Sequence, residues 1–172
     1  MHLSDITTPR LRLVTITHEF MNLESSGQQE ALGRMVGAAV PAAWPPQDWE
    51  PHVFEFLRKQ YSDSPHTLGW ARYVVTLESP TFIGTVGAFP HTAQLVEVGY
   101  GILPAWQKQG LATEATLALL AKLFREPGVT SAIAHTFPTL PASIRVLEKC
   151  GFHPAGPGEE PGTLRFEWRP GA

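Results

Sequence analysis

The sequence predicts a mixed α/β domain. Three observations carry this expectation: period-two runs rich in Leu, Val, Ile and Thr, helical patterns between them, and their order along the chain. That order is a strand, a helical segment, several antiparallel strands, then helix, strand, helix, strand. The 172 residues are expected to form one domain, 1–172, with enough chain to bury a core and with neither an internal repeat nor an interdomain linker.

Residues 10–17, RLRLVTIT, alternate apolar and polar side chains as a half-buried strand does. Residues 19–40 read as a helix that carries Gly27, Gly33 and Gly37. The segment PAAWPPQDW contains Pro41, Pro45 and Pro46, which exclude regular helix and central strand. Asp48 stands where it would cap a helix running through Phe54, Leu57 and Arg58 to about Tyr61. Residues 62–66 form a turn cluster. Runs 70–77 and 82–89 are strands joined as a hairpin through Glu78, Ser79 and Pro80, and 95–103 is a third strand, closed by Pro104. A helix is expected from about 109 to 126. Its charges, Glu114, Lys122, Arg125 and Glu126, share a narrow arc, so most of its circumference is buried. Residues 129–137 read as a strand and 141–150 as a helix stopped by Gly151. The Gly/Pro-rich stretch 154–162 leads to a last strand at 163–169.

Composition narrows the function. A formal charge of -3 and a pI near 6.1 give no basic excess for a nucleic-acid backbone. The 15 Gly and 16 Pro together stay well short of the ~25–30% typical of low-complexity disorder. One cysteine excludes an intramolecular disulfide framework and a Cys-based zinc cage. The start, MHLSDITTPRLRL, lacks the apolar core of a signal peptide. The longest apolar stretch, 115–124, is broken by Thr116 and Lys122 and is far short of the ~20 residues a membrane span needs. The expectation is a cytoplasmic protein with no nucleic-acid and no membrane partner.

The most informative stretch is VEVGYGILPAWQKQGLATEA, residues 96–115. A strand ends at Leu103, a proline turn follows, and Gly110 and Ala112 open a buried helix. A helix start presents unpaired N–H groups and a partial positive charge, which suits an anion, and small residues let a phosphate approach the backbone. The same residues equally suit a tight strand-to-helix turn in which glycine serves packing alone. Two familiar phosphate loops are excluded: G-x-x-x-x-G-K-S/T is absent, and Gly99-Tyr100-Gly101 is followed by Pro104 where a dinucleotide fingerprint needs its third glycine.

Gln107-Lys108-Gln109-Gly110-Leu111-Ala112 fits the pattern Q/R-x-x-G-x-G/A. Together with TPRLRL, VEVGY, ILPAWQKQGLATEA and ASIRVLEKCGF in order, it resembles the GNAT superfamily of acyl-CoA-dependent N-acetyltransferases. The nearest likeness is to the branch that acetylates ribosomal-protein amino termini. It covers residues 8–17 and 70–153 and leaves 20–69 unmatched. The resemblance implies an α/β (α+β) fold with a mixed, mostly antiparallel central sheet flanked by helices. It also implies acetyl-CoA as acyl donor substrate, no metal, and direct transfer to a primary amine, either a protein amino terminus or a small molecule. The partners expected are acetyl-CoA and an amine acceptor, and a homodimer is left open. A non-catalytic acyl-CoA-binding or regulatory module is the alternative.

Roles follow from the same resemblance. The backbone of Ile102 and Leu103 would pair with the pantetheine arm. The N–H groups of Gln107, Lys108, Gln109, Gly110, Leu111 and Ala112 would hold the pyrophosphate, with Thr113 adding a hydroxyl. The family's later motif carries an Asn three residues before a Ser. Here Ser143, Arg145, Val146, Leu147, Glu148, Lys149, Gly151 and Phe152 match, but Leu140 replaces the Asn, so Thr139 is left to cap the helix. Ser143 shares a helical face with Leu147 and Cys150, toward the coenzyme arm, and is the expected acid for the departing thiolate. Cys150 and His153 stand behind it, since Tyr61, Tyr73 and Tyr100 all lie upstream.

Glu97 resembles the acidic residue that related enzymes carry about ten residues before the phosphate turn, and it is the expected base, acting through water. The alternative is a sheet carboxylate paired with an Arg or a backbone N–H. Backbone N–H groups near Gly101 to Leu103 would meet the oxyanion. Cys150 reads as a small buried apolar residue, and His135 and His153 as isolated structural or solvated groups. Acceptor choice is expected in residues 20–69, where Trp44, Trp49, Phe54 and Phe56, with Trp70 just beyond, are candidate pocket walls.

Overall fold

The computed structural model describes residues 4–171. One eight-stranded sheet runs in the order β1-β2-β3-β4-β5-β6-β8-β7. Its strands are β1 (Ile6–Thr7), β2 (Leu11–Thr15), β3 (Ala71–Thr76), β4 (Phe82–Pro90), β5 (Leu95–Ile102), β6 (Ser131–Thr136), β7 (His153–Pro157) and β8 (Leu164–Trp168). Every pairing is antiparallel except β5 with β6. A parallel pair needs a crossover, and α4 (Leu111–Leu123) supplies it. The mixed, mostly antiparallel sheet expected from the sequence is present.

Each face of the sheet carries its own core. On one face α4 and α5 (Pro141–Lys149) pack Leu119, Leu120 and Leu147 against Leu13, Val74 and Phe166. On the other, α1 (His18–Ser25), α2 (Gln29–Val36) and α3 (Pro51–Asp63) pack Met21, Leu32 and Leu57 against Ile16, Tyr73 and Phe82. Burying each such side chain is worth roughly 1.5–3 kcal/mol, so both faces hold the helices that frame the site.

Four expectations are corrected. Residues 19–40 form two helices rather than one. The chain turns left-handed at Gly27 (φ 75°) between α1 and α2, and α2 ends at a left-handed Gly37. Asp48 does not cap α3: it sits in a turn at φ 70°, and Glu50 precedes Pro51, whose fixed φ starts the helix. Thr139 does not cap α5 either. Leu140 occupies that position with no side-chain cap, and Pro141 has no N–H to satisfy. Finally, the Gly/Pro-rich stretch, where no strand was expected, holds most of β7, an edge strand whose five residues, HPAGP, are all exposed.

Candidate active site

β5 and β6 pair only over Leu95↔Ser131, Val96↔Ala132 and Glu97↔Ile133, yet β5 runs on to Ile102 and β6 to Thr136. The two strands therefore part inside the sheet. The other edge of β5 stays bonded to β4 as far as Gly84↔Ile102, and the Leu103 N–H donates to the Ile83 carbonyl at 2.7 Å. By antiparallel alternation, Gly99 and Gly101 turn their backbone groups to β4. Val98, Tyr100 and Ile102 turn theirs into the gap. The groups expected to meet a coenzyme arm are thus only partly free. The Leu103 N–H is engaged, and the Ile102 carbonyl accepts the Gln107 side-chain amide at 2.8 Å, leaving the Ile102 N–H facing the gap.

Beyond a short 3-10 turn at Pro104–Trp106, Lys108 and Gly110 take left-handed backbones, φ 62° and 77°. Glycine suits that region at position 110; a lysine there is unusual. Gly110 precedes α4 with no side-chain cap, and the first N–H to bond back belongs to Glu114, on the Gly110 carbonyl at 3.0 Å. The N–H groups of Leu111, Ala112 and Thr113 are therefore left at the open end of the helix, where its dipole favours an anion. Gln107, Lys108 and Gln109 form the turn leading in, and the Lys108 side chain is exposed.

Sequence reasoning gave no role to Arg10, which braces this turn. Its Nη1 donates to the Gln109 carbonyl at 2.8 Å and its Nε to Glu114 at 2.7 Å. Glu114 also accepts the Thr8 hydroxyl at 2.6 Å and the Arg10 N–H at 2.9 Å. Partial desolvation works to raise the Glu114 carboxyl, but the hydrogen bonds from Thr8 and Arg10 hold it below the ordinary range.

Tyr100 was set aside as upstream in sequence, yet its hydroxyl crosses to the start of α5. It donates to the Ser143 carbonyl at 2.9 Å and lies 3.1 Å from Ser143 Oγ. Burial pushes the phenol up to about 12 against the hydrogen bond to Ser143, so it stays protonated at neutral pH. Burial also pushes the Cys150 thiol up to about 12, and its Sγ rests 3.8 Å from the Thr113 carbonyl. A thiol so placed is no nucleophile at neutral pH.

Glu97 lies on the opposite face of β5. Its partner is neither an arginine nor a backbone N–H but His135, with Nδ1 2.7 Å from Oε1. His91 Nδ1 is 3.7 Å from Oε2, and His91 Nε2 reaches Glu159 at 3.0 Å. His135, read from the sequence as isolated, thus meets one oxygen of Glu97, while His91 stands between the other oxygen and the exposed Glu159. His153 is exposed on β7.

On the same face a cavity of about 610 Å³ opens between α3 and the sheet. Trp49 and Phe56 line it, as expected, whereas Trp44, Phe54 and Trp70 are buried in the cores. Behind its wall the buried Glu24 accepts the indole N–H groups of Trp44 at 2.8 Å and Trp49 at 3.0 Å, and the Tyr73 hydroxyl. Desolvation raises the Glu24 pKa, and the three hydrogen bonds only partly oppose it. A separate cavity of about 420 Å³ beside α2 holds none of these groups. Among the described residues, no group of three or more His, Cys, Asp or Glu is arranged to hold a metal ion. Among the same residues, no helix is long and apolar enough to cross a membrane.

Residues 10–153 match the family model described as an acetyltransferase (GNAT) domain. No curated protein matches the chain. Among solved structures, an acetyltransferase from Agrobacterium tumefaciens is similar at 18% identity and a TM-score of 0.67, over 98% of this chain and 96% of that one. The ribosomal L7/L12 α-N-protein acetyltransferase RimL in complex with coenzyme A superposes at 16% identity and a TM-score of 0.62, over 96% of this chain and 98% of that one. The aminoglycoside acetyltransferase AAC(6')-Ib, bound to coenzyme A and kanamycin, superposes at 17% identity and 0.60, over 93% and 95%. At these identities the likeness concerns the fold.

Proposed function

The chain belongs to the GNAT acetyltransferase family, whose members take acetyl-CoA as donor, and we propose that it transfers the acetyl group directly to a primary amine. The observation that carries this reading is the gap between β5 and β6. Open backbone N–H groups border it, the Tyr100–Ser143 pair lies on one side and Glu97 on the other.

In this reading the N–H groups of Leu111, Ala112 and Thr113 and the turn Gln107–Gly110 receive the pyrophosphate, helped by the guanidinium of Arg10. The backbone of Val98, Tyr100 and Ile102 receives the pantetheine arm in place of the missing β6 strand. The Ile102 N–H donates to the oxygen that gains charge as the amine adds to the thioester. Glu97 takes the proton lost by the amine through water, held in place by His135, and His91 and Glu159 give that proton an exit to solvent. Ser143, backed by the Tyr100 hydroxyl, returns a proton to the departing thiolate. One C–N bond forms, one C–S bond breaks, and an amide and a free thiol result. The protonated Cys150 takes no part.

A panel of primary amines with acetyl-CoA, scored by thiol release, tests the reading on the wild type and on Glu97→Gln. The expected result is turnover by the wild type and a loss of kcat of about 10²-fold or more in the variant, with acetyl-CoA binding retained. Binding without thiol release from any amine overturns the transfer. A variant that keeps most of its kcat removes Glu97 from the role of base.

A further inference from the structure

Building on the proposed transfer to an amine, we propose that the acceptor is a small primary amine carried on an aromatic or branched apolar body, seated in the trough between α3 and the sheet. The floor of this trough is set by register. Ala71 pairs with Gly87 and Gly87 with Gly99, so three adjacent strands carry their smallest side chains side by side. A Cβ built on Gly99 would meet nothing within 4 Å. The space above it is therefore open to a ligand rather than needed for close packing.

The walls are apolar and partly aromatic. Trp49, Val53, Phe56 and Leu57 come from α3 and the segment before it, and Phe89 from β4. Phe56 and Phe89 stand edge to face, ring centroids 5.3 Å apart. A volume of about 610 Å³ suits a ring-sized body. The carboxylates of the lining are Asp48 and Glu160, with neither Lys nor Arg beside them. A cationic amine is thus attracted, and an anionic substrate is not.

One buried polar group in this lining has an unmet bond. Gln60 is 7% exposed; its amide N–H₂ donates to the Ala88 carbonyl at 3.3 Å, and its Oε1 has no partner. The lining thus holds one buried acceptor that no protein donor meets.

Two other acceptor classes fit less well. Both edges of β3 and β4 are already paired, and the proposed donor arm takes the open edge of β5, so the floor leaves no ladder to an extended peptide. A polyamine would lay its further charges along Ala71, Gly87 and Gly99, where no carboxylate stands.

The experiment compares kcat/KM for ethylamine, phenethylamine, spermidine and a peptide with a free amino terminus, using the full chain and acetyl-CoA. Wild type should favour phenethylamine over ethylamine by at least about tenfold. Gly99→Val fills the trough from a strand position whose backbone suits valine, and should shrink that ratio by at least about fivefold. Phe56→Ala removes an exposed wall without touching the core and should extend use to the bulkier tryptamine. A preference for spermidine or for the peptide overturns the proposal. So does a common loss on all amines in Gly99→Val when Phe56→Ala leaves the selectivity as it was. Acetyl-CoA binding with no amine accepted at all sinks the transfer reading itself, and is thereby distinguished from a wrong acceptor class.

Discussion

Along the gap beside β5 and at the start of α4, the groups offered to a ligand are backbone N–H groups, fixed by a few dihedral angles. Beneath α3 they are side chains: one tryptophan, two phenylalanines, a glutamine and scattered carboxylates, held by contacts between residues far apart in sequence. The first kind of site tolerates changes of side chain as long as the backbone keeps its course. The second changes with nearly every substitution. An enzyme that keeps one donor and varies its acceptor gains from this division, because the acceptor wall can be rebuilt without disturbing the grip on the donor.

The contrast can be broken most sharply at Gly110. A side chain at φ 77° is strained by about 1–2 kcal/mol, and relief of that strain displaces the N–H groups that follow. Gly110→Val should weaken acetyl-CoA about tenfold by calorimetry while leaving the KM for the amine nearly unchanged. An equal change in both constants would show that the two halves are not independent.

The converse test is Glu24→Gln. Losing a carboxylate that serves three buried donors should cost about 1–3 kcal/mol, read as a lower Tm. The KM for the amine should rise several-fold and acetyl-CoA affinity should hold. The pH dependence separates the two acids. Burial raises Glu24 above its ordinary 4.5, so the folded state binds that proton more tightly. Stability from this group is greatest at low pH and declines as pH rises through the raised value. Glu114 is lowered, so its contribution is present above 4.5 and disappears as pH falls through the lowered value. Thermal melts across this range should therefore lose the decline toward neutral pH in Glu24→Gln and keep the acid-side loss.

The smallest expected effect is at Arg10, whose side chain is half exposed. Arg10→Ala should weaken acetyl-CoA by only about threefold, and added salt should erase most of the difference. A loss of a hundredfold would make Arg10 a principal phosphate ligand rather than a brace.

How much of this was legible in the sequence follows the same division. The turn before α4 was readable because its causes are local: a proline, a glycine and a helix start within eight residues. The central strands and α4 were readable from apolar periodicity. β7 was not, since an exposed edge strand with two prolines has no apolar period to detect. Tyr100 was dismissed for its place in the chain, and only the topology brings it to Ser143, 43 residues on. His135 meets Glu97 across 38 residues, and Glu24 meets Trp44, Trp49 and Tyr73 across 20, 25 and 49. No spacing rule encodes such meetings. The trough beneath α3 depends on which small residues fall opposite one another, and that register appears only once the strands are paired.

The parting of β5 from β6 has a consequence for the free protein as well. It leaves a strand in the middle of the sheet with part of one edge unbonded, the kind of edge that invites another strand to add to it. On the proposed site, the donor's own amide-bearing arm fills that edge, so a metabolite completes the sheet. Stability would then follow supply: at a donor concentration a hundred times its Kd the fold gains about 2.7 kcal/mol. When donor runs short, the protein loses not only its substrate but also part of what keeps its sheet closed to other chains.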